Sequence, residues 1–156
     1  MTSSALKATL QSDLTESIRS RDELRSSTLR LALTAVKTAE VSGKVARDLS
    51  DDEVLAALAK EAKKRREAAT AFADAGRPER AERELAELAV LEAYLPKQLS
   101  DDELQTIVTA AVSAAAASGA SGMAAMGKVI KAAQATVEGR ADGGRIAAEV
   151  KRQLAG

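Results

Sequence analysis

The 156-residue chain contains no cysteine, no histidine and no tryptophan. Without cysteine, disulfides, thiolate metal sites and cysteine nucleophiles are excluded. Without histidine, the usual general base and the commonest metal ligand are missing. Aromatic side chains are nearly absent too, with Phe72 and Tyr94 standing alone. Any core must therefore be built from Leu, Ile, Val, Met and Ala in closely packed helices. Neither sign of charge is in excess: Lys plus Arg and Asp plus Glu both number 23. No global positive field advertises nucleic acid, although a local basic face remains open. No stretch approaches the roughly 20 apolar residues of a membrane span. Met1 to Ala5 lack a basic region followed by an apolar run, so no secretory signal is expected. These absences point to a soluble cytoplasmic protein, with no membrane partner.

What is present is helical periodicity. Apolar residues make up 46% of the chain and charged residues 29%, a globular balance. Leu6, Leu10, Leu14 and Ile18 mark a first helix at four-residue spacing. Leu24, Leu31, Ala35 and Ala39 mark a second, widened by Leu29, Leu33 and Val36, with Gly43 as its stop. Ser50-Asp51-Asp52-Glu53 has the form of a capping box, and the tetrapeptide returns at Ser100-Asp101-Asp102-Glu103. A tandem repeat, or paired carboxylates holding magnesium, would be the alternatives; capping explains the pattern more cheaply. A third helix is expected over Asp51 to Asp74. A turn at Gly76 follows, and Pro78 suits the first turn of a fourth helix. Leu85, Leu88, Leu91 and Leu95 carry that helix until Pro96 disfavours helical backbone before it.

The segment Leu95-Pro96-Lys97-Gln98-Leu99 thus reads as a domain boundary. Beyond it, Leu104, Ile107, Val108 and Ala111 form a fifth helix ending near Gly119. Met123, Met126, Ile130 and Ala133 form a sixth, and Ile146, Val150 and Leu154 a seventh. No period-2 strand is visible. The expectation is an all-α protein: a four-helix N-terminal domain over residues 1–95, then a small three-helix C-terminal tail domain over residues 96–156.

Four constellations invite a functional reading. Gly122 to Lys128 matches the front of a phosphate loop, but Val129 replaces its Ser or Thr, and the preceding segment is a helix and turn instead of a strand. No cofactor and no metal is expected. Gly127 reads more simply as a place where another backbone approaches. Arg65 falls on the apolar stripe of Leu58, Ala62 and Ala69 within an otherwise solvated charged run. A buried arginine needs a partner, and a hairpin turning near Gly76 would set it opposite Glu84 to Glu87. The expectation is a structural ion pair. Finally, Lys128, Lys131, Arg140, Arg145, Lys151 and Arg152 face only Glu138, Asp142 and Glu149 between Gly127 and Arg152. Helix starts and glycine-freed amides bind phosphate, and the shortage of aromatics excludes a base-stacking platform. These six are the RNA-binding candidates, aimed at the shape and phosphates of folded RNA. Within them, Asp142 is expected to cap the last helix, while Arg140 and Arg145 are free to meet a phosphate.

Tyr94-Leu95-Pro96-Lys97-Gln98-Leu99 resembles the "YLPKQL" hinge of YqeY-like proteins. Thr28-Leu29-Arg30-Leu31, Lys64-Arg65-Arg66 and Glu84-Leu85-Ala86-Glu87 resemble that family as well. Met126-Gly127-Lys128-Val129 and Gly139-Arg140-Ala141-Asp142-Gly143 resemble its closing segment. The family is similar to the C-terminal helical and tail regions of the B subunit of the aspartyl/glutamyl-tRNA amidotransferase. The resemblance implies an N-terminal helical domain, a tail that helps hold tRNA, and amidotransferase subunits or other proteins as partners. It also brings a label of carbon–nitrogen ligase activity with glutamine as amido donor. This chain offers no catalytic constellation for such an activity. It departs from the family at Gln134-Ala135 and at Val137-Glu138, where Glu138 dilutes the positive charge. Two roles follow: a non-catalytic tRNA-binding module accessory to amidation, or a protein–protein adaptor docking through the alanine-rich fifth helix.

Overall fold

A computed structural model describes residues 4–156; Met1 to Ser3, part of the segment read for a leader, lie outside the described residues. Seven α-helices and one short 3-10 turn account for the ordered backbone, with no strand among the described residues. The helices are α1 (Ala5–Arg19), α2 (Glu23–Glu40), α3 (Asp51–Asp74), α4 (Pro78–Glu92), α5 (Asp101–Ala117), α6 (Met126–Val137) and α7 (Gly143–Ala155). Backbone contacts group them into two compact units that meet in sequence between Leu95 and Pro96.

In the N-terminal unit, Leu10, Leu29, Val36, Val54, Leu58 and Leu91 are the large side chains of a dry core. Where α1 meets α2, Ser17 and Ser26 are buried and bond each other at 2.9 Å. Their hydroxyls, and that of Thr28, also share bonds with carbonyls of their own helices. Small side chains let these two helices come close. The stripe expected on α2 needs correcting. Leu29, Ala32 and Val36 face the core, whereas Leu31 is 51% exposed and Ala35 and Ala39 are only partly buried. The helix carries two apolar faces, and the core takes only one.

Helix ends follow local chemistry. Ser50 and Ser100 both form complete capping boxes, with Glu53 and Glu103 reaching back. Pro78 opens α4, and Gly76 supplies the left-handed backbone of the turn before it. Gly43 does not stop α2; the helix ends at Glu40, whose buried carboxylate does more than close a turn. It accepts from Lys7 Nζ at 2.9 and 3.0 Å and from Leu49 N at 3.4 Å, tying α1 and the loop before α3 to the end of α2. The Asp51 carboxylate accepts from the Ser4 hydroxyl and Leu6 N, so the starts of α1 and α3 share one acid.

Arg65 is buried on α3, 6% exposed, as its place on the stripe requires. Its Nη1 donates to Glu61 Oε2 at 2.9 Å and to the Glu61 carbonyl at 3.1 Å. Its Nε lies 3.5 Å from Glu87 Oε2 on α4. Glu84, the other partner expected, makes no ion pair among the described residues, because the hairpin register brings Glu87 to Arg65 instead. Tyr94, after α4, donates to Asp13 Oδ2 at 2.5 Å, and Arg25 lies 3.7 Å from the same oxygen. Burial pushes the Tyr94 phenol above its ordinary range and keeps it a donor.

In the C-terminal unit, Leu104, Val108, Val129, Val137, Ile146 and Val150 form a separate core. The stripe expected on the sixth helix is shifted by one residue. Ala125, Val129, Ala133 and Val137 are buried, Met126 and Ile130 are partly so, and Met123 is 48% exposed. The segment begins with a 3-10 turn at Met123–Ala125, which rotates the apolar face.

Two stability predictions follow. Arg65→Ala leaves Glu61 and Glu87 without their shared cation and should cost about 3 kcal/mol in urea unfolding. Arg65→Met, which fills the site with apolar volume, should cost less; near-zero loss in both would contradict the paired, buried assignment. The second concerns pH. No side chain has an unperturbed pKa between about 5 and 8, so the melting temperature should be flat there. Hydrogen bonds from Arg47 and from Arg152 lower Glu53 and Glu149 from 4.5 to about 2, and the Lys7 hydrogen bond lowers Glu40. A carboxylate depressed in the folded state favours folding above its unfolded pKa and loses that contribution as protons bind. Stability should therefore fall as pH drops from about 4.5 to about 2, and Glu40→Gln should show a shallower decline in a pH-resolved thermal melt.

Candidate nucleic-acid interface

The loop between α6 and α7 is where sequence placed the site. Helix α6 ends at Val137, and Glu138 and Gly139 then adopt left-handed backbone, φ 50° and 79°. Glycine takes that conformation without strain and closes the helix. Asp142 caps α7 as expected, its Oδ1 accepting from Gly144 N at 2.7 Å and Arg145 N at 3.2 Å. The amides at this helix start are thus already bonded to a carboxylate, which is what a phosphate would otherwise do.

The two arginines of this loop are also spoken for. Arg140 folds back on α6, donating through Nε to the Val137 carbonyl at 2.9 Å and through Nη2 to the Thr136 carbonyl at 3.0 Å. It satisfies carbonyls that a helix end leaves open. The Arg140 carbonyl in turn accepts from Leu99 N at 2.8 Å. Arg145 reaches the start of α5, donating through Nη2 to the Leu99 carbonyl and to Asp101 Oδ1, both at 3.0 Å. Neither arginine therefore stands free at the loop. Arg140 bonds carbonyls of the helix just before it, whereas Arg145 joins segments more than forty residues apart, and such pairing has no local sequence signal.

The remaining candidates differ among themselves. Arg152 makes a double hydrogen bond to Glu149, at 2.9 and 2.5 Å. Lys128 Nζ donates to the neutral Ser118 hydroxyl at 2.7 Å. Lys131 and Lys151 are exposed and have no carboxylate within ion-pair distance among the described residues. The six do not gather at one point. Lys128 in the first turn of α6 and Val137 at its end, beyond which Arg140 stands, are roughly 14 Å apart along the axis.

Other sequence readings resolve here as well. Gly122 to Lys128 is a turn, a 3-10 segment and the start of α6, not a loop wrapped for phosphate. A Cβ built on Gly127 meets no heavy atom within 4 Å, so the close backbone approach expected there is absent and the glycine is simply tolerated. The acids of the capping boxes bond helix starts, Ser4 and Arg145, and no cluster of three acids is placed to hold a metal among the described residues. Beyond the exposed Asp101, Asp102 and Glu103 of its first turn, the outward side of α5 shows Ala, Ser, Thr and Gln; no large apolar residue is exposed along it. No described helix is long and apolar enough to cross a membrane. Sequence reasoning passed over Lys7, Asp13 and Glu40, and it read Asp51 only as part of a helix start; each joins helices through its side chain.

With that geometry in view, the chain matches the family model described as Yqey-like protein over residues 7–154. The match spans nearly the whole sequence, and the chain belongs to the YqeY-like family. No curated protein matches it.

The Arg145 contacts make a testable claim about the C-terminal unit. Asp101 is almost fully exposed, so its ion pair contributes little, and the bond to the Leu99 carbonyl carries most of the effect. Arg145→Ala should destabilise α5 by about 1 kcal/mol, seen as roughly five- to tenfold faster amide exchange at Leu104 to Val108. Asp101→Asn should change it much less; equal effects would move the weight to the ion pair.

Proposed function

We propose that this YqeY-like protein is a non-catalytic helical module whose C-terminal unit contacts folded RNA, tRNA being the expected class, as an accessory to tRNA-dependent amidation. The observation that carries the reading is the state of three lysines. Lys128, Lys131 and Lys151 are exposed, and none has a carboxylate partner among the described residues. A solvated ammonium without a neutralising carboxylate keeps its attraction for phosphate and releases counterions on contact. Arg140, Arg145 and Arg152 enter this proposal as supports that hold the helices carrying those lysines. In this reading any part in amidation runs through partner subunits.

The adaptor reading through α5 has less behind it, since beyond the three acids of its first turn that face offers alanine and short polar side chains. Filter binding against total tRNA at two salt concentrations separates the readings. Affinity should fall steeply with salt, with a slope near one per lysine contact. A Lys128→Glu, Lys131→Glu, Lys151→Glu variant should lose at least tenfold while melting like the parent. Undiminished tRNA binding by that variant would sink the assignment, as would no salt-dependent binding by the parent.

A further inference from the structure

The N-terminal unit carries a trough of about 800 Å³ between α2 and α3. One wall is Leu31, Thr34, Ala35, Thr38, Ala39 and Ser42, stepping by three and one along a single face of α2. The other is Glu53, Ala56, Ala57, Lys60, Glu61 and Lys64, with the same steps on α3. Each row spans three helical turns, roughly 16 Å. Beyond Leu31 the α2 wall is Thr, Ala and Ser, and Ala56 and Ala57 face it from α3, which lets a third backbone lie close there; Lys60, Glu61 and Lys64 line the rest of the α3 wall. This is the second apolar face of α2, the one the core leaves uncovered.

The charges along the trough are graded. Ser42 and Glu53 flank the α2–α3 loop, and at that end Arg47 and Glu53 neutralise each other in an ion pair. Three turns away stand Leu31 and the cations Lys60, Lys64 and Arg65, with Glu61 as their one acid on the wall. Glu61 is shared between Lys64 and Arg65. Arg65 is buried and also faces Glu87 on α4, and its Nε has no hydrogen-bond partner among the described residues. The far end therefore keeps a surplus of positive charge beside a half-exposed leucine.

We infer that this trough seats an amphipathic helix of a partner protein, about three turns long, with large aliphatic side chains along its contacting face and acidic side chains beside Lys60 and Lys64. A groove walled by a row of small residues on α2 and by Ala56 and Ala57 on α3 is complementary to the ridge of a third helix. Lys60, with no carboxylate partner among the described residues, and the exposed Lys64 give that helix its direction. The surface lies on the N-terminal unit and is independent of the RNA proposal for the C-terminal one.

The probe is a fluorescein-labelled, alanine-based peptide of about 15 residues, with leucines at helical spacing on one side and glutamates in its last turn. A twin carries lysines in place of those glutamates. Fluorescence anisotropy with the full chain should show saturable binding of the acidic peptide and at least tenfold weaker binding of the twin. Leu31→Lys and the double variant Lys60→Glu, Lys64→Glu should each lose at least tenfold. All three positions are exposed, so the variants should melt like the parent. No saturable binding, or equal binding of the two peptides, overturns the inference. Displacement of the peptide by total tRNA at low salt would assign the trough to RNA and overturn it as well. So would a concentration-dependent dimer in sedimentation that Leu31→Lys abolishes, since the occupant would then be a second copy of this chain.

Discussion

A core with almost no aromatic side chain has to bring helix backbones close together. Leu, Val and Ala fill little space, so the gaps between helices must be narrow if they are to stay dry. Everything else in the two units answers to that constraint. Ser17 and Ser26 touch where α1 meets α2 because larger residues would hold those helices apart. Ala62, Ala69 and Ala81 are buried in the long α3–α4 hairpin for the same reason. Such smooth surfaces slide easily, and polar side chains set the register. Arg65 fixes α3 against α4 through Glu87, Glu40 holds α1 and the α2–α3 loop, and Tyr94 reaches Asp13. In the C-terminal unit Arg145 plays that part between α7 and the start of α5.

That use of charge bears on function. A cation already bonded to two carbonyls, like Arg140, has less to offer a phosphate than a lysine in water. The loop that looked most like an anion site spends its amides and arginines on its own closure. What remains for a polyanion is a set of separate lysines, which suits contact with a backbone better than a pocket for one phosphate. The N-terminal unit has the opposite character: an apolar row beside concentrated charge, better suited to a protein surface than to RNA.

The helices themselves were legible from local signals. Capping boxes at Ser50 and Ser100, Pro78 at a helix start and Asp142 before Gly143 name boundaries that the structure reproduces closely, because caps act within three residues. The burial of Arg65 could be read from its stripe. Which stripe of α2 faces inward could not. Leu31-Ala35-Ala39 and Leu29-Ala32-Val36 are both apolar, and periodicity does not rank two adjacent apolar faces. Glu87 and not Glu84 pairs with Arg65 because the hairpin turn sets the register, and one helical turn decides it.

The sequence alone therefore determined the helical class, the positions of most caps and the absence of thiol and imidazole chemistry, since each of these depends on residue type and near neighbours. Only the tertiary structure decided which charges are free. Arg140, Arg145 and Lys131 look alike along the chain. Arg140 caps the end of α6 through neighbouring carbonyls, Lys131 faces water, and Arg145 closes the fold, because a hydrogen bond between residues 99 and 145 exists only once the helices between them have packed.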